Sequence, residues 1–317
     1  MLDSALVFGN QTIGLVALYP ELQIVKWKLP IPNGVLSELS VEKGQIYFGG
    51  GDGYLYSVDG ESGRVNWKYA LRNPLVSRPE VNAGRVFITT TADIVYALDA
   101  GSGEWIWHYK RGTSAVATVK GASSPIVDGN DVIVGMSDGY LVSLSKDDGQ
   151  LKWERKIHDG YKFMDVDAKP VLSEGLILIP SYDGALYALR RNNGQVVWRF
   201  DAGGSKRVVV DGDRIYVPSN NGSIFAIQKS NADVLWKFEM DGGTPTQLVV
   251  SKRYVVFGSD FQYLYALKKR TGEPVYRFNT GWGSGFSGSP AFDDEKNRLY
   301  ILSQGGNLYS FHVFDSN

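Results

Sequence analysis

One pattern recurs along this chain at a nearly constant spacing, and it limits the folds that the chain can adopt. Its clearest copy covers residues 52–67, read DGYLYSVDGESGRVNW, and combines a turn, a strand, a second turn and an aromatic strand. Copies of the pattern end at the aromatic residues Trp27, Trp67, Trp107, Trp153, Trp198, Trp236 and Tyr276. These residues are 40, 40, 46, 45, 38 and 40 positions apart. Repeats of this length that contain several strands are typical of β-propellers.

Each repeat is predicted to form four short strands, A to D, because β-branched or aromatic runs alternate with turns rich in Gly, Asp and Asn. In the second repeat these strands are residues 36–41, 45–49, 54–59 and 65–69. Eight B strands are predicted, at residues 5–9, 45–49, 85–89, 131–135, 176–180, 214–218, 254–258 and 298–302. No segment has the periodicity of an amphipathic helix. We therefore predict an all-β chain.

The predicted architecture is an eight-bladed β-propeller of four-stranded antiparallel blades, in a single domain over residues 1–317, with seven blades as the alternative. No A strand precedes the first B strand, and the last copy stops at Phe314 without a D strand. Because a closed propeller needs complete blades, we expect an N-terminal segment outside this chain, or a neighbouring chain, to supply both strands.

The aromatic residue at the end of each repeat could stack on a cofactor or pack between blades. It recurs in repeat after repeat rather than at one site. We therefore predict that these residues dock neighbouring blades on each other as part of the scaffold.

Composition and motifs argue against several classes of function. The formal net charge of −1 gives no field that would attract nucleic acid. The absence of cysteine excludes disulfides, thiolate metal sites and a cysteine nucleophile. The three histidines, His108, His158 and His312, lack the spacing of metal ligands. We predict no catalytic residues, no metal and no cofactor, and no apolar run approaches the length of a membrane helix.

Two spacings are longer than the others, and both extra lengths fall between a D strand and the next A strand. The long connections are residues 108–125 and 156–170. In an antiparallel four-stranded blade the D-to-A and B-to-C connections emerge at the same end, so the two long connections should lie side by side. Long loops on a rigid scaffold commonly carry binding sites.

We therefore predict a partner-binding site at these two connections. Its residues are Lys110, Arg111, Gly112, Met164, Asp165 and Asp167. Arginine suits carboxylates or backbone carbonyls of a partner, and the aspartates suit N–H groups or basic residues. An internal ion pair between Arg111 and Asp165 or Asp167 is the alternative, and both arrangements can hold together.

The repeat resembles the wider family of pyrroloquinoline-quinone-like propellers. Several segments are more specifically similar to the BamB family, lipoproteins of the outer-membrane β-barrel assembly (BAM) complex. They are RGTSAVAT at 111–118, DVDAKPV at 165–171, DGALYAL at 183–189, NGQVVW at 193–198 and VVDGDRIYV at 209–217.

The resemblance implies a scaffold that binds the periplasmic POTRA domains of BamA, the barrel-inserting protein, and that assists outer-membrane protein insertion, with unfolded outer-membrane proteins as further partners. It implies that Arg111, Asp165 and Asp167 serve the BamA contact. It also implies the periplasmic face of the outer membrane of a Gram-negative bacterium, with a signal peptide and a lipid-attachment cysteine that this chain does not contain. Lys110 and His108 depart from the leucines usual in the family, which indicates a diverged partner surface.

Two other classes of function remain open. A ligand-binding or sensor propeller is the main alternative and would be indicated by a polar central channel. A quinoprotein dehydrogenase is less favoured, since the resemblance to those enzymes implies an adjacent cysteine pair and this chain has no cysteine.

Overall fold

The computed structural model describes residues 5–21, 23–112, 122–157, 165–286 and 288–313. These residues form thirty β-strands in eight consecutive antiparallel sheets, the architecture of an eight-bladed β-propeller. The predicted fold class is confirmed, and the seven-blade alternative is wrong. No helix in the described ranges could cross a membrane. The chain divides into two compact units, Met1–Pro170 and Val171–Asn317, and the single domain over residues 1–317 stays a prediction.

The first unit contains sheets one to four, each with its strands in chain order. Sheet one has three strands: β1 (Leu6–Asn10), β2 (Gly14–Tyr19) and β3 (Ile24–Leu29). Sheet two has β4 (Ser40–Glu42), β5 (Gln45–Gly49), β6 (Tyr54–Asp59) and β7 (Val65–Ala70). Sheet three has β8 (Glu80–Asn82), β9 (Arg85–Thr89), β10 (Ile94–Asp99) and β11 (Trp105–Lys110). Sheet four has β12 (Ile126–Asp128), β13 (Asp131–Gly135), β14 (Tyr140–Ser145) and β15 (Leu151–Lys156).

The second unit contains sheets five to eight. Sheet five has β16 (Val171–Ser173), β17 (Leu176–Pro180), β18 (Leu186–Arg190) and β19 (Val196–Phe200). Sheet six has β20 (Val209–Asp211), β21 (Arg214–Pro218), β22 (Ser223–Gln228) and β23 (Val234–Glu239). Sheet seven has β24 (Val249–Val250), β25 (Tyr254–Gly258), β26 (Tyr263–Lys268) and β27 (Pro274–Asn279). Sheet eight has three strands: β28 (Ala291–Asp293), β29 (Arg298–Leu302) and β30 (Leu308–His312).

The A strands are shorter than predicted, and β4 begins at Ser40 rather than at residue 36. The reason is that the Ser37 hydroxyl takes the place of a main-chain carbonyl as hydrogen-bond acceptor before the strand begins. The main-chain N–H of Gly49 donates to Ser37 Oγ at 2.8 Å instead of to a carbonyl. In sheet three the main-chain N–H of Thr89 donates to Ser77 Oγ in the same way, at 3.2 Å. The B strands are as predicted, except that the first spans Leu6–Asn10 and so begins one residue later.

The buried core lies on the B and C strands, whose side chains are covered on both faces of the sheet. In sheet two, Ile46, Phe48, Leu55 and Val58 are fully buried. The D strands are much more exposed, as the alternating pattern of β7 shows. Each sheet therefore needs a neighbour on both faces, which explains why one repeat could not fold alone.

The tryptophans that end the repeats join consecutive sheets by one recurring contact. Each indole N–H donates to a carbonyl in the C-to-D turn of the next sheet, which supports the docking role inferred from the repeat. The pairs are Trp27 to Gly60 at 3.2 Å, Trp67 to Ala100 at 2.9 Å, Trp107 to Lys146 at 2.9 Å, Trp198 to Lys229 at 3.1 Å and Trp236 to Lys269 at 3.1 Å. The indole N–H of Trp153 is buried and has no acceptor among the described residues.

The indole rings rest on residues with a left-handed backbone. Gly63, Gly103, Gly149 and Gly272 have φ between 71° and 75°, and a Cβ at any of them would lie within 2.5 to 2.6 Å of the preceding tryptophan. Glycine is therefore needed twice, for its conformation and for its lack of a side chain. Tyr276 differs, since it is 49% exposed and meets only Phe311 edge-on with the ring centroids 6.5 Å apart.

Candidate partner-binding site

The first long connection leaves sheet three at the end of β11. Lys110 is the last residue of β11 and is exposed. Arg111 follows it, and then Gly112 is exposed with open space where a Cβ would stand. Residues 113–121 of this connection lie outside the described residues.

Arg111 turns back onto sheet four instead of pointing into solvent. Its Nε donates to Asp138 Oδ2 at 2.6 Å, and its Nη1 pairs with Glu154. The guanidinium lies 3.8 Å from the centre of the Tyr140 ring. Only 14% of the Arg111 side chain is exposed. The alternative from the sequence paired Arg111 with Asp165 or Asp167, whereas the carboxylates bonded to Arg111 in the structure come from the B-to-C turn and the D strand of the adjacent sheet.

These contacts keep the Arg111 side chain positively charged. Burial alone would lower the pKa of the guanidinium, but the bonds from Asp138 and Glu154 and their negative charges outweigh it and raise the pKa. A charged arginine that is bonded to two carboxylates and stacked on a tyrosine ring has little freedom to change rotamer. The start of the first connection is therefore held in one place.

The second long connection leaves sheet four after β15, and its described end starts at Asp165. Met164 lies outside the described residues. Asp165 is only 1% exposed, and Val166 beside it is equally buried. The main-chain N–H of Val166 donates to the carbonyl of Met136 at 3.2 Å. Further along, Ser123 Oγ donates to the carbonyl of Ala168 at 2.9 Å.

Both long connections thus converge on one turn, residues 136–139 between β13 and β14. Arg111 reaches it through Asp138, and the second connection reaches it through Met136. A third contact comes from the B-to-C turn of sheet three, where Asp93 accepts from the main-chain N–H of Ser137 at 3.1 Å and from its hydroxyl. The expectation that D-to-A and B-to-C connections share one end of the sheets is confirmed for sheets three and four.

Asp93 is the most strained member of this group. It is 8% exposed and has a left-handed backbone with φ of 57°. Burial raises the pKa of its carboxyl group, the bonds from Ser137 lower it, and the charges of Asp138 and Asp165 raise it again, so that the net shift is upward. Three carboxylates therefore share a small region in which Arg111 is the paired cation of Asp138.

Of the six predicted site residues, Met164 lies outside the described residues and the other five fall into two groups. Arg111 and Asp165 face inward and support the connections, whereas Lys110 and Gly112 are exposed and Asp167 is half-buried. The residues that sequence reasoning missed are Asp93, Ser137, Asp138, Tyr140 and Glu154.

A signal for Asp138 is nevertheless present in the repeat. In sheets two and five the corresponding aspartates, Asp52 and Asp183, accept a bond from a tyrosine hydroxyl four residues later at 2.6 Å. In sheet four that position is Val142, so the carboxylate of Asp138 is left for another donor. A missing tyrosine after DG in a repeat can therefore indicate a new ion pair.

This arrangement is suited to recognition, because the described ends of both connections are held against a rigid scaffold. Within the described ranges, no group of three or more His, Asp or Glu side chains could hold a metal ion. The fold and the site together define a β-propeller of the pyrroloquinoline-quinone-like repeat type, with elaborated connections between sheets three, four and five.

A family model described as "Outer membrane protein assembly factor BamB" matches residues 23–238. The match covers more than half of the chain, and the chain belongs to this family. The BamB protein of Legionella pneumophila (strain Paris) is 28% identical over 204 residues, which are 62% of this chain and 52% of that protein. The chain thus spans about half the length of this curated relative.

Solved structures agree on the fold. BamB from Moraxella catarrhalis superposes with a TM-score of 0.84 at 19% identity, covering 98% of this chain and 95% of that one. A europium-containing methanol dehydrogenase has a TM-score of 0.80 at 12% identity, covering 95% of this chain and 81% of that one. At such identities the likeness shows the fold alone.

Proposed function

We propose that this chain is a non-enzymatic scaffold subunit of the outer-membrane protein assembly (BAM) complex. In this proposal it binds the periplasmic POTRA domains of BamA through the D-to-A connections that follow sheets three and four, and it assists the insertion of outer-membrane proteins. One observation carries the proposal: both connections are tied to the same turn, residues 136–139.

That shared turn supports binding because it holds the described ends of both connections before a partner arrives. Ordering loops on association costs roughly 0.5–1.5 kcal/mol for each immobilised side chain. Here the inward bonds of Arg111 and Val166 already hold both chain segments. The residues exposed to a partner are Lys110 and Gly112, together with the exposed part of Glu154.

Membership of the BamB family supports the rest of the proposal. The relatives are named as outer membrane protein assembly factors, so we place this chain at the periplasmic face of the outer membrane of a Gram-negative bacterium. Unfolded outer-membrane proteins are proposed as further partners, and membrane association is proposed to depend on a lipid anchor outside this chain. The dehydrogenase likeness concerns the fold alone, and no enzyme activity is proposed.

The test uses a glycine that accepts a side chain without strain. Gly112 has no positive φ, and apart from its chain neighbours no described residue lies within 4 Å of the place where its Cβ would stand, so Gly112→Glu should fold normally while placing a bulky acid on the surface. Gly101 is the matched control, since it also lacks a positive φ and a Cβ there would meet only Asp99 Oδ1 at 3.4 Å. It lies in a C-to-D turn at the other end of sheet three.

Binding to the cognate BamA POTRA domains would be measured by titration calorimetry. We expect Gly112→Glu, combined with Lys110→Glu, to weaken binding by on the order of tenfold or more, as for the loss of a charged contact. Gly101→Glu should bind like the native chain. Equal affinity of the native chain and the Lys110→Glu/Gly112→Glu variant would contradict the proposal.

A further inference from the structure

The A strands of sheets two, three and four lie beside one another in the first unit. A polar group lies at this edge, just before or at the start of each strand. Ser40 is the first residue of β4, Arg78 lies two residues before β8, and Ser124 lies two residues before β12. Ser124 lies near the end of the first long connection, residues 108–125, whereas Ser40 and Arg78 lie outside both long connections.

Arg78 is half-buried and has no carboxylate partner among the described residues. Its Nε donates to Ser40 Oγ at 3.0 Å, and no other bond from its side chain is found in the described ranges. Arg111, which is also largely buried, has two carboxylates. A partly desolvated charge normally has a counter-charge, so the Nη groups of Arg78 are unusual.

Within the described residues, no neighbouring carboxylate is bonded to Arg78. Glu80 lies two residues further along and is engaged by Lys169 at 2.7 Å. The Ser40 hydroxyl donates its own hydrogen to the carbonyl of Pro79. The Nη groups of Arg78 therefore remain as donors with no acceptor among the described residues.

Ser124 adds a second unused donor. Its hydroxyl oxygen accepts from the main-chain N–H of Arg78 at 2.8 Å, which places the hydroxyl next to the arginine. The hydroxyl hydrogen has no acceptor within the described part of the chain. A hydroxyl both donates and accepts, and a guanidinium only donates.

We propose that Arg78 and Ser124 form a binding site for a carboxylate group. The two Nη groups match a carboxylate bidentately, and the Ser124 hydroxyl donates to one of its oxygens. The carboxylate belongs either to a small organic acid or to the C-terminus of a polypeptide. This site uses none of the residues named for the POTRA contact, and it gives the first unit a ligand-binding function of its own.

The test is calorimetric titration with two probes, succinate and acetyl-trialanine. The neutral counterparts, succinamide and acetyl-trialanine amide, report on the need for a carboxylate. Arg78→Met removes the charge and keeps the apolar stem. Arg64→Met is the control, since Arg64 is an exposed arginine in a C-to-D turn of the same unit.

We expect at least one acid to bind saturably to the native chain and to Arg64→Met, and neither amide to bind. Arg78→Met should weaken binding by about tenfold or more, the range for a lost charge-assisted pair of bonds. Ser124→Ala should weaken it several-fold, and it tests the site independently if Arg78→Met does not fold. Binding of succinate alone assigns a small acid, and binding of acetyl-trialanine alone assigns a chain terminus.

The proposal is overturned if neither acid binds saturably, or if Arg78→Met binds as tightly as the native chain. Binding of the amides with equal affinity would also overturn it, since the site would then not recognise charge. The Gly112→Glu variant should bind the acids normally, which keeps this result separate from the POTRA contact.

Discussion

Arg111 and Asp138 lie on different sheets, and the 2.6 Å bond between them ties the start of one connection to the B-to-C turn of the next sheet. Asp138 is available for this bond because sheet four has Val142 where sheets two and five have a tyrosine. In those sheets the tyrosine hydroxyl donates a hydrogen bond to the aspartate, as Tyr56 does to Asp52. One substitution in the repeat thus converts a local hydrogen bond into a link between sheets.

Replacing Asp138 by asparagine should destabilise the protein. The guanidinium of Arg111 would keep Glu154 as its only paired carboxylate. We expect a loss of roughly 1–3 kcal/mol in the free energy of unfolding, less than for a fully buried pair because Glu154 remains. Urea unfolding measures it.

The matched control is Asp52→Asn, which removes a carboxylate bonded to a tyrosine and no cation. Asp52→Asn should lower the free energy of unfolding by about 1 kcal/mol, which is typical of a single hydrogen bond. Combining Asp138→Asn with Arg111→Met should lose less than the sum of the two single losses. Strict additivity would show that Arg111 and Asp138 do not interact energetically.

Replacing Trp236 by alanine should be far more damaging than replacing Tyr276. Trp236 is 8% exposed and bonds Lys269, so its removal leaves a cavity and should cost about 3–5 kcal/mol. Tyr276 occupies the same place in the next repeat but is 49% exposed, and Tyr276→Ala should cost below about 1.5 kcal/mol. Chemical denaturation distinguishes them, and similar losses would mean that exposure does not determine the docking energy.

The residue beneath each tryptophan can be tested in both directions. Gly272→Ala adds a Cβ that would lie 2.6 Å from the Trp236 ring, at a φ of 72°, and should destabilise by about 2–4 kcal/mol. In sheet six the same position is Ala232, with φ of 63°.

Ala232→Gly relieves that left-handed alanine, so it should stabilise by up to about 1 kcal/mol. Thermal melts of Gly272→Ala and Ala232→Gly should move in opposite directions. A shift of both to lower temperature would argue that packing, rather than φ, decides the residue at position 232.

Replacing Asp93 by asparagine should change how stability depends on pH. The folded state raises the pKa of Asp93 above its ordinary value of 3.8, so between these two pKa values the folded state holds a proton that the unfolded state releases. Ionised Asp93 therefore reduces stability as pH rises above about 4. Asparagine keeps an acceptor for Ser137 and tolerates the left-handed φ.

The measurement is the difference in unfolding free energy between Asp93→Asn and the native chain from pH 4 to pH 7. This difference should increase in favour of Asp93→Asn as pH rises. The comparison cancels the contributions of the acids that do not interact with Asp93. A difference that is constant with pH would show that Asp93 has the same pKa in both states.

Much of the fold could be predicted from local patterns, and the candidate site only in part. Arg85–Thr89 and its counterparts in the later repeats were predicted to the residue because Gly, Asp and Asn turns bound each B strand. The position of the long connections also followed from spacing alone. The buried state of Asp165 did not, since a polar residue in a long loop usually faces solvent.

The sequence by itself determined the repeat length, the number of sheets and the strand at which each repeat turns back, because these depend on residues close together in the chain. Only the tertiary structure decided that Arg111 pairs with Asp138 and Glu154, which are 27 and 43 positions away. The sequence alone does not indicate which of the many carboxylates in the chain pairs with a given arginine. Stacking of sheets three and four selects the two that come within bonding distance. Among the described residues, Arg78 has no carboxylate partner.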